Sequence, residues 1–183
     1  MTNKSSGNRI LVTGGAGFVG SYLVEKLLSL HPEKIFIVDN LIRGSKRNMD
    51  SFIKHPKVEF YEDDIRNEKL MDEIMSKSDY CFHLAALRIT RCAENQPEAF
   101  DVMVRATFNL VELARKHRIK KFIYSSTASV YGLAQHFPTP ETDNPYDNKT
   151  FYWAAKLFGE SLLRSYFDMY GLNYVALRYF NIY

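Results

Sequence analysis

The chain has 183 residues, of which 46% are hydrophobic and 25% are charged, a composition typical of one folded domain with a sizeable core. Its 24 basic and 21 acidic residues leave a net charge of +3, too small to indicate a nucleic-acid or membrane partner. Two cysteines, Cys81 and Cys92, suit neither a disulfide framework nor a metal site, which favours a cytoplasmic protein without bound metal. The polar residues 1–8 lack a signal-peptide core and are predicted to be a disordered lead-in.

Apolar strand-like runs alternate with helical patterns along the chain. The predicted strands are Arg9–Thr13, Lys34–Asp39, Lys57–Glu62, Asp79–Ala86, Lys120–Ser126 and Asn173–Tyr179. The predicted helices are Gly17–Leu30, Glu68–Met75, about Pro97 to Lys116, and about Phe151 to Tyr170 with Gly171 closing it. This alternation predicts an α/β fold over residues 9–183, a doubly wound parallel sheet with helices on both faces. The second, fourth, fifth and sixth runs are nearly continuously apolar, as in strands covered on both faces.

A glycine-rich turn, VTGGAGFVG, spans Val12 to Gly20 and contains Gly15-x-Gly17-x-x-Gly20 as well as Gly14. Taken alone the pattern fits any tight turn. Here it follows a strand and opens a helix, which is the context of a dinucleotide-binding turn in a Rossmann-type fold. Glycines let the backbone approach a pyrophosphate, and the helix N-terminus offers it unpaired N–H groups.

Asp39 ends the second predicted strand, where a carboxylate can accept hydrogen bonds from the adenosine ribose hydroxyls. It would repel a 2′-phosphate, so the sequence favours NAD over NADP. The alternative is an ordinary carboxylate at a strand end, and the nearby Arg43 leaves NADP open.

The stretch FYWAAK places Tyr152 one helical turn before Lys156, on the same face. Helix packing alone would explain such a pair, but its position downstream of a dinucleotide turn favours chemistry. An ammonium group beside a phenol favours the phenolate, which could take a proton from a sugar or alcohol hydroxyl. The end of the fifth predicted strand, Ser125–Thr127, offers hydroxyls to orient a substrate oxygen, although strand-end capping is the alternative.

Taken together, these motifs resemble those of the extended short-chain dehydrogenase/reductase superfamily, in its NAD-dependent sugar epimerase/dehydratase branch. The matching motifs come in family order and span nearly the whole chain. They are TGGAGFVG, VDN, DDIRN, HLAAL, YSSTASVYG, Tyr152-x-x-x-Lys156 and RYFNIY.

The resemblance implies a catalytic triad of Thr127, Tyr152 and Lys156 acting on a nucleoside-diphosphate sugar, which Thr127 and Asn181 would contact. Together with the glycine turn and Asp39, it implies an NAD site. The cofactor-binding residues are then Gly14, Gly17, Phe18, Val19, Gly20, Asp39, Asn40, Asp64, Ile65, Leu84, Ala85, Ala86, Ser125, Tyr152, Lys156 and Phe180.

The two residues after Thr127 indicate the reaction by resemblance. Members that eliminate water carry Asp-Glu there, and decarboxylating members carry a glutamate, whereas this chain has Ala128 and Ser129. The pattern resembles that of a 4-epimerase, which oxidises C4 and re-reduces it from the other face while holding NAD tightly. Two departures are Met103–Thr107 in place of Asn-Val-x-Gly-Thr, and Ala155 in place of a serine.

Other readings stay open. One is a sugar dehydrogenase, reductase or dehydratase with NAD(P), and another is a non-catalytic dinucleotide-binding module.

The family resemblance implies a C-terminal substrate domain that this chain lacks, and a homodimer in which the two long helices form a four-helix bundle. Its apolar side chains would be Phe100, Val104, Phe108, Leu162, Tyr166 and Met169. Arg88, Thr90 and Arg91 are further candidates for substrate contact.

Overall fold

A computed structural model describes residues 8–133, 136–143 and 149–183. All but one residue of the predicted lead-in therefore lies outside the described residues. Six parallel strands form one sheet in the order β3-β2-β1-β4-β5-β6. Their bounds are Arg9–Thr13 (β1), Lys34–Val38 (β2), Val58–Tyr61 (β3), Tyr80–His83 (β4), Lys121–Thr127 (β5) and Tyr174–Tyr179 (β6). The predicted doubly wound α/β fold is confirmed.

The helices are Phe18–Leu28 (α1), Glu68–Ser76 (α2), Ile89–Glu94 (α3), Gln96–Phe100 (α4), Ala106–Lys116 (α5) and Phe151–Tyr170 (α6). A π-helical turn, Asp101–Arg105, joins α4 to α5, and short 3-10 turns cover Lys46–Met49 and Ala128–Tyr131. Gly171 ends α6 in the left-handed conformation at φ 71°, as predicted. None of the described helices is long and apolar enough to cross a membrane.

Three predicted elements differ from the structure by more than one residue at an end. The fourth strand ends at His83 rather than Ala86, because the chain then leaves the sheet and forms a wall of the cleft described below. The helix predicted from about Pro97 is interrupted by the π-helical turn, and α3, which precedes it, was missed. The first helix ends at Leu28 rather than Leu30. His31, three residues further on, takes a positive φ of 53°.

The sheet separates two apolar clusters, because successive side chains of a strand point to opposite faces. Leu11 packs with α2, α5 and α6 on one face, whereas its neighbour Val12 packs with α1 on the other. The expectation that the sixth strand is covered on both faces is wrong. β6 is an edge strand, and its Val175 and Leu177 are 37% and 38% exposed.

Candidate dinucleotide-binding and catalytic site

The glycine turn connects β1 to α1 at the carboxyl edge of the sheet. Gly14 has φ +74°, and a Cβ there would lie 2.7 Å from the backbone nitrogen of Ala85. A Cβ at Gly20 would lie 2.2 Å from the Gly14 carbonyl oxygen. Bare backbone at both positions is therefore required for the turn to close. Within the described chain no side chain caps α1 at Gly17, so the first-turn N–H groups remain available to an anion.

Asp39 lies directly after β2 and is 9% exposed. Its carboxylate accepts the backbone N–H of Ala16 at 3.0 Å and that of Leu41 at 2.9 Å. Burial raises the pKa of this carboxyl above its ordinary value, and the two backbone hydrogen bonds oppose the rise. The carboxylate thus lies against the glycine turn, at the point where the sequence predicts a ribose.

A second carboxylate borders the same end of the cleft. Asp64 accepts the Asn40 amide at 2.7 Å and both Nε and Nη2 of Arg66 at 2.8 Å. The Arg66 guanidinium lowers the pKa of Asp64 to about 2, so this group is ionised at any physiological pH. The adjacent Ile65 is 6% exposed and lines the same cavity.

Behind the turn, a buried chain of hydrogen bonds fixes the wall formed by residues 84–87. The backbone N–H of Ala85 donates to Thr13 Oγ1 at 3.3 Å, and Thr13 Oγ1 lies 2.8 Å from Nδ1 of His83. On the other side of the ring, Nε2 lies 3.1 Å from Thr107 Oγ1, which donates to the Met103 carbonyl. Because Thr107 donates to Met103, its oxygen must accept from an N–H at Nε2 of His83. Burial lowers the pKa of His83 to about 3, so the ring is neutral and its Nδ1 accepts from Thr13.

The other end of the cleft is formed by β5 and α6. The Thr127 hydroxyl accepts the Ser129 N–H at 3.1 Å and lies beside the phenol of Tyr152. Burial raises the pKa of Tyr152, the Cys92 thiol adds to the rise, and Thr127 opposes it. The expectation that Lys156 lowers this pKa is not met in the cofactor-free chain, because its Nζ lies 6.0 Å from the phenol ring centroid.

Lys156 lies beneath the tyrosine and is 3% exposed. Its Nζ donates to the Ser125 carbonyl at 2.6 Å and lies 4.9 Å from the ring centroid of Tyr124. Burial lowers the pKa of Lys156 to about 8, while Cys92 and Glu160 oppose the fall. Lys156 therefore titrates just above physiological pH and is mostly in its charged ammonium form at pH 7.

The predicted residues meet along one cleft made of two connected cavities, which share Gly14 and Gly17. The cavity at the Asp39 end is lined by the predicted Asp39, Asn40, Asp64, Ile65, Leu84, Ala85 and Ala86. The catalytic end is lined by the predicted Phe18, Val19, Gly20, Thr127, Tyr152, Phe180 and Asn181. Ser125 and Lys156 do not line the cleft but lie directly behind Tyr152.

Charge differs between the two ends of the cleft. Three carboxylates line the Asp39 end, at Asp39, Asp63 and Asp64. In the described part of the chain no carboxylate lines the catalytic end, where Arg43 and Arg88 supply positive charge. The first end suits sugar hydroxyls, which donate hydrogen bonds, and the second suits phosphates.

Several residues that line the cleft were not among the cofactor or catalytic residues predicted from the sequence. Arg43 lines both cavities, while Arg88 and Thr90 line the catalytic one. Arg91 does not line it and instead pairs with Glu98 at 2.7 Å. Gly44, Val102 and Tyr179 also line the cleft but were not named as site residues. They lie in the loop after β2, in the π-helical turn and at the end of β6. Within the described ranges no cluster of His, Cys, Asp and Glu is arranged to hold a metal ion.

The residues present fit a dinucleotide. The uncapped N-terminus of α1 and the bare glycine backbone suit a pyrophosphate, and the Asp39 carboxylate suits ribose hydroxyls. Near the other end, behind Tyr152, the buried Ser125 Oγ has no hydrogen-bond partner among the described residues. Fold and cleft together define a dinucleotide-binding Rossmann protein with a tyrosine–lysine pair at the end of β5.

Comparison with known families specifies the class. A family described as "NAD dependent epimerase/dehydratase family" matches residues 10–183. The chain belongs to this family, and its cofactor is NAD. The resemblance drawn from the motifs is thereby confirmed.

Known relatives share the same half of the protein. The UDP-glucose 4-epimerase of Lacticaseibacillus casei is 36% identical over 176 residues, 94% of this chain and 51% of that protein. The structure of UDP-glucose 4-epimerase from Thermotoga maritima with UDP-glucose is 37% identical, with a TM-score of 0.87, over 96% of this chain and 56% of that one. UDP-N-acetylglucosamine 4-epimerase from Methanobrevibacter ruminantium M1, in complex with UDP-N-acetylmuramic acid, is 33% identical, with a TM-score of 0.90, over 98% and 56%. The chain thus spans about half the length of the relatives it matches.

Proposed function

We propose that this chain is the NAD-binding and catalytic half of a 4-epimerase of nucleoside-diphosphate sugars. The observation that carries the proposal is the catalytic end of the cleft. Thr127 and Tyr152 line it together, Lys156 supports the tyrosine from behind, and none of the described residues lining it is a carboxylate. The relatives named as 4-epimerases of UDP-glucose and UDP-N-acetylglucosamine support the same substrate class.

In this proposal each residue has one task. NAD, when bound, supplies a hydride acceptor that returns the hydride, and its positive ring favours the phenolate. Tyr152 takes the proton from the C4 hydroxyl and returns it to the C4 oxygen when the turned keto-sugar is re-reduced at the opposite face of C4. Thr127 orients the C4 oxygen beside the phenol, and Lys156 keeps a cation behind it. Asp39 holds the ribose, and the α1 N-terminus holds the pyrophosphate.

The residues that follow Thr127 favour epimerisation over the reactions of other family members. Elimination of water and decarboxylation need a further acid or base beside the sugar, and Ala128 and Ser129 supply none. A dehydrogenase with exchangeable NAD(P) is the second candidate, because Arg43 lines the cavity beside Asp39 and could accept a 2′-phosphate. Net release of NADH would distinguish it from an epimerase, as would tight binding of NADP.

Two further proposals concern the assembly. We infer that the sugar and its nucleotide are bound mainly by residues beyond this half of the protein, and that two copies pair through α5 and α6. Exposed apolar side chains on these helices support the pairing, notably Phe108 and Met169 at 41% and 64% exposure. Of the six side chains named for this bundle, Tyr166 is instead 8% exposed and donates its hydroxyl to Glu112.

Replacement of Tyr152 by phenylalanine tests the catalytic assignment. Removal of the hydroxyl should reduce epimerisation by at least ~100-fold, the contribution expected of a positioned acid–base group, while NAD affinity changes less than about threefold. Epimerisation of UDP-glucose and UDP-N-acetylglucosamine is followed by NMR, and NAD affinity by calorimetry. Tyr22→Phe, on the exposed side of α1, is the matched control. Unchanged turnover in Tyr152→Phe would exclude the catalytic role, and loss of NAD binding would indicate a binding role instead.

A further inference from the structure

The face of α6 that carries Tyr152 and Lys156 also carries Glu160. Tyr152, Lys156 and Glu160 are spaced by one turn of α6, and each meets one residue of the strand end 125–127. Lys156 Nζ donates to the Ser125 carbonyl, Ser126 Oγ donates to the Glu160 carboxylate, and Thr127 lies beside Tyr152. Three successive strand residues thus hold three successive turns of the helix.

Arg178 joins the same group from the neighbouring strand. It lies directly opposite Ser126 in the β5–β6 register. Its Nε donates to Glu160 Oε1 at 3.0 Å and its Nη2 to Oε2 at 2.7 Å, so the ion pair is bidentate. The Arg178 and Glu160 side chains are only 18% and 12% exposed, so water screens the pair weakly.

The same guanidinium also reaches the segment between β5 and α6. Its Nη1 donates to the Glu141 carbonyl at 3.0 Å, and its carbon lies 4.6 Å from the ring centroid of Tyr131. Arg178 therefore links four parts of the chain, namely β5, β6, α6 and the described segment 136–143. Neither Glu160 nor Arg178 lines the NAD cleft or the catalytic cavity.

Glu160 also affects the charge around Lys156. The ammonium group is buried, and Glu160 is the one carboxylate among the described titratable groups that act on it, where it opposes the effect of burial. Arg178 compensates the charge of Glu160 from the other side. The titratable groups facing Lys156 are His83 of β4, Cys92 of α3, Tyr124 of β5, and Tyr152 and Glu160 of its own helix.

We propose that Glu160 and Arg178 form a positioning pair for Lys156, which holds α6 against the end of β5 and balances the charge around the ammonium group. This rests on the proposed function only in taking Lys156 as the catalytic lysine. A pair that served stability alone would have no directional effect on Lys156. If the pair balances the charge around Lys156, neutralising Glu160 and neutralising Arg178 must shift the protonation of Lys156 in opposite directions.

The test compares Glu160→Gln with Arg178→Gln in the cofactor-free chain. Protonation of Lys156 is followed by NMR of chain labelled with ¹³C at the lysine Cε atoms, with the Lys156 signal assigned by its absence in Lys156→Met. We expect the titration midpoint to move to lower pH in Glu160→Gln and to higher pH in Arg178→Gln. In the double variant it should return towards the wild-type midpoint.

Two amide variants that shift in the same direction, or not at all, would overturn the proposal. Arg178→Lys covers the case in which an amide variant does not fold. It keeps the charge but not the bidentate geometry, so the midpoint should stay while the melting temperature falls, and a displaced midpoint would contradict the proposal. Because the titration needs no turnover, an inactive enzyme and a failed titration are separate results.

Discussion

At the scale of single residues, the buried Lys156 makes stability depend on pH. The folded-state pKa of about 8 lies below the ordinary lysine value of 10.5. Between these values the folded chain binds fewer protons than the unfolded chain, so the contribution of Lys156 to stability rises with pH over that window. Below about pH 8 the buried ammonium destabilises the fold by up to about 3 kcal/mol, since each pKa unit corresponds to 1.36 kcal/mol.

Lys156→Met should therefore stabilise the cofactor-free chain at pH 7 and lose that advantage by about pH 10.5. Urea unfolding of both proteins at the two pH values measures the difference. Lys54→Met, at an exposed position, should show no such dependence and serves as the matched control. An equal difference at both pH values would mean that the packing of the methionine, and not the lost charge, is responsible.

At the scale of elements, α6 depends on its close approach to β5. A Cβ at Gly159 would lie 2.5 Å from the ring of Tyr124, which is 1% exposed and cannot move aside freely. Alanine normally favours a helix by about 1 kcal/mol over glycine, but overpacking a core costs about 1–3 kcal/mol. Gly159→Ala should thus lower the melting temperature and weaken NAD binding, because α6 moves away from the strand end.

Ser161→Ala, at an exposed position of the same helix, is the control and should leave both quantities unchanged. Calorimetric melting and NAD titration give the two readouts. If Gly159→Ala were as stable as the wild type, the contact between α6 and Tyr124 would not limit the position of the helix.

Local patterns predicted those elements whose signal lies within their own residues. β1 and α6 have the predicted bounds, because a β-rich run and a long helical pattern closed by Gly171 need no distant partner. The π-helical turn at Asp101–Arg105 and α3 were missed, since packing around the cleft and not periodicity determines them. The raised pKa of Tyr152 also escaped prediction, because it depends on burial and on Lys156 bonding to Ser125.

At the scale of the whole molecule, the proposed pairing of two copies rests on the exposed apolar side chains of α5 and α6. Phe108, Phe167 and Met169 are 41%, 48% and 64% exposed. We expect a dimer in sedimentation at micromolar concentration, and a monomer for Phe108→Glu. Leu30→Glu, which replaces an exposed apolar residue just beyond α1, should leave the dimer intact. A wild-type chain that stays monomeric, in the length its gene encodes, would contradict this pairing.

The most direct measurement of the central claim follows deuterium through the reaction. UDP-glucose and UDP-N-acetylglucosamine labelled with deuterium at C4 are incubated with NAD-loaded protein, both as this chain and in the full length that its gene encodes. Transient oxidation at C4 predicts the 4-epimer with the deuterium still at C4 and without accumulation of reduced cofactor. Loss of the label to solvent, net formation of reduced cofactor or a dehydrated sugar would contradict the epimerase assignment, as would the absence of any product from both proteins.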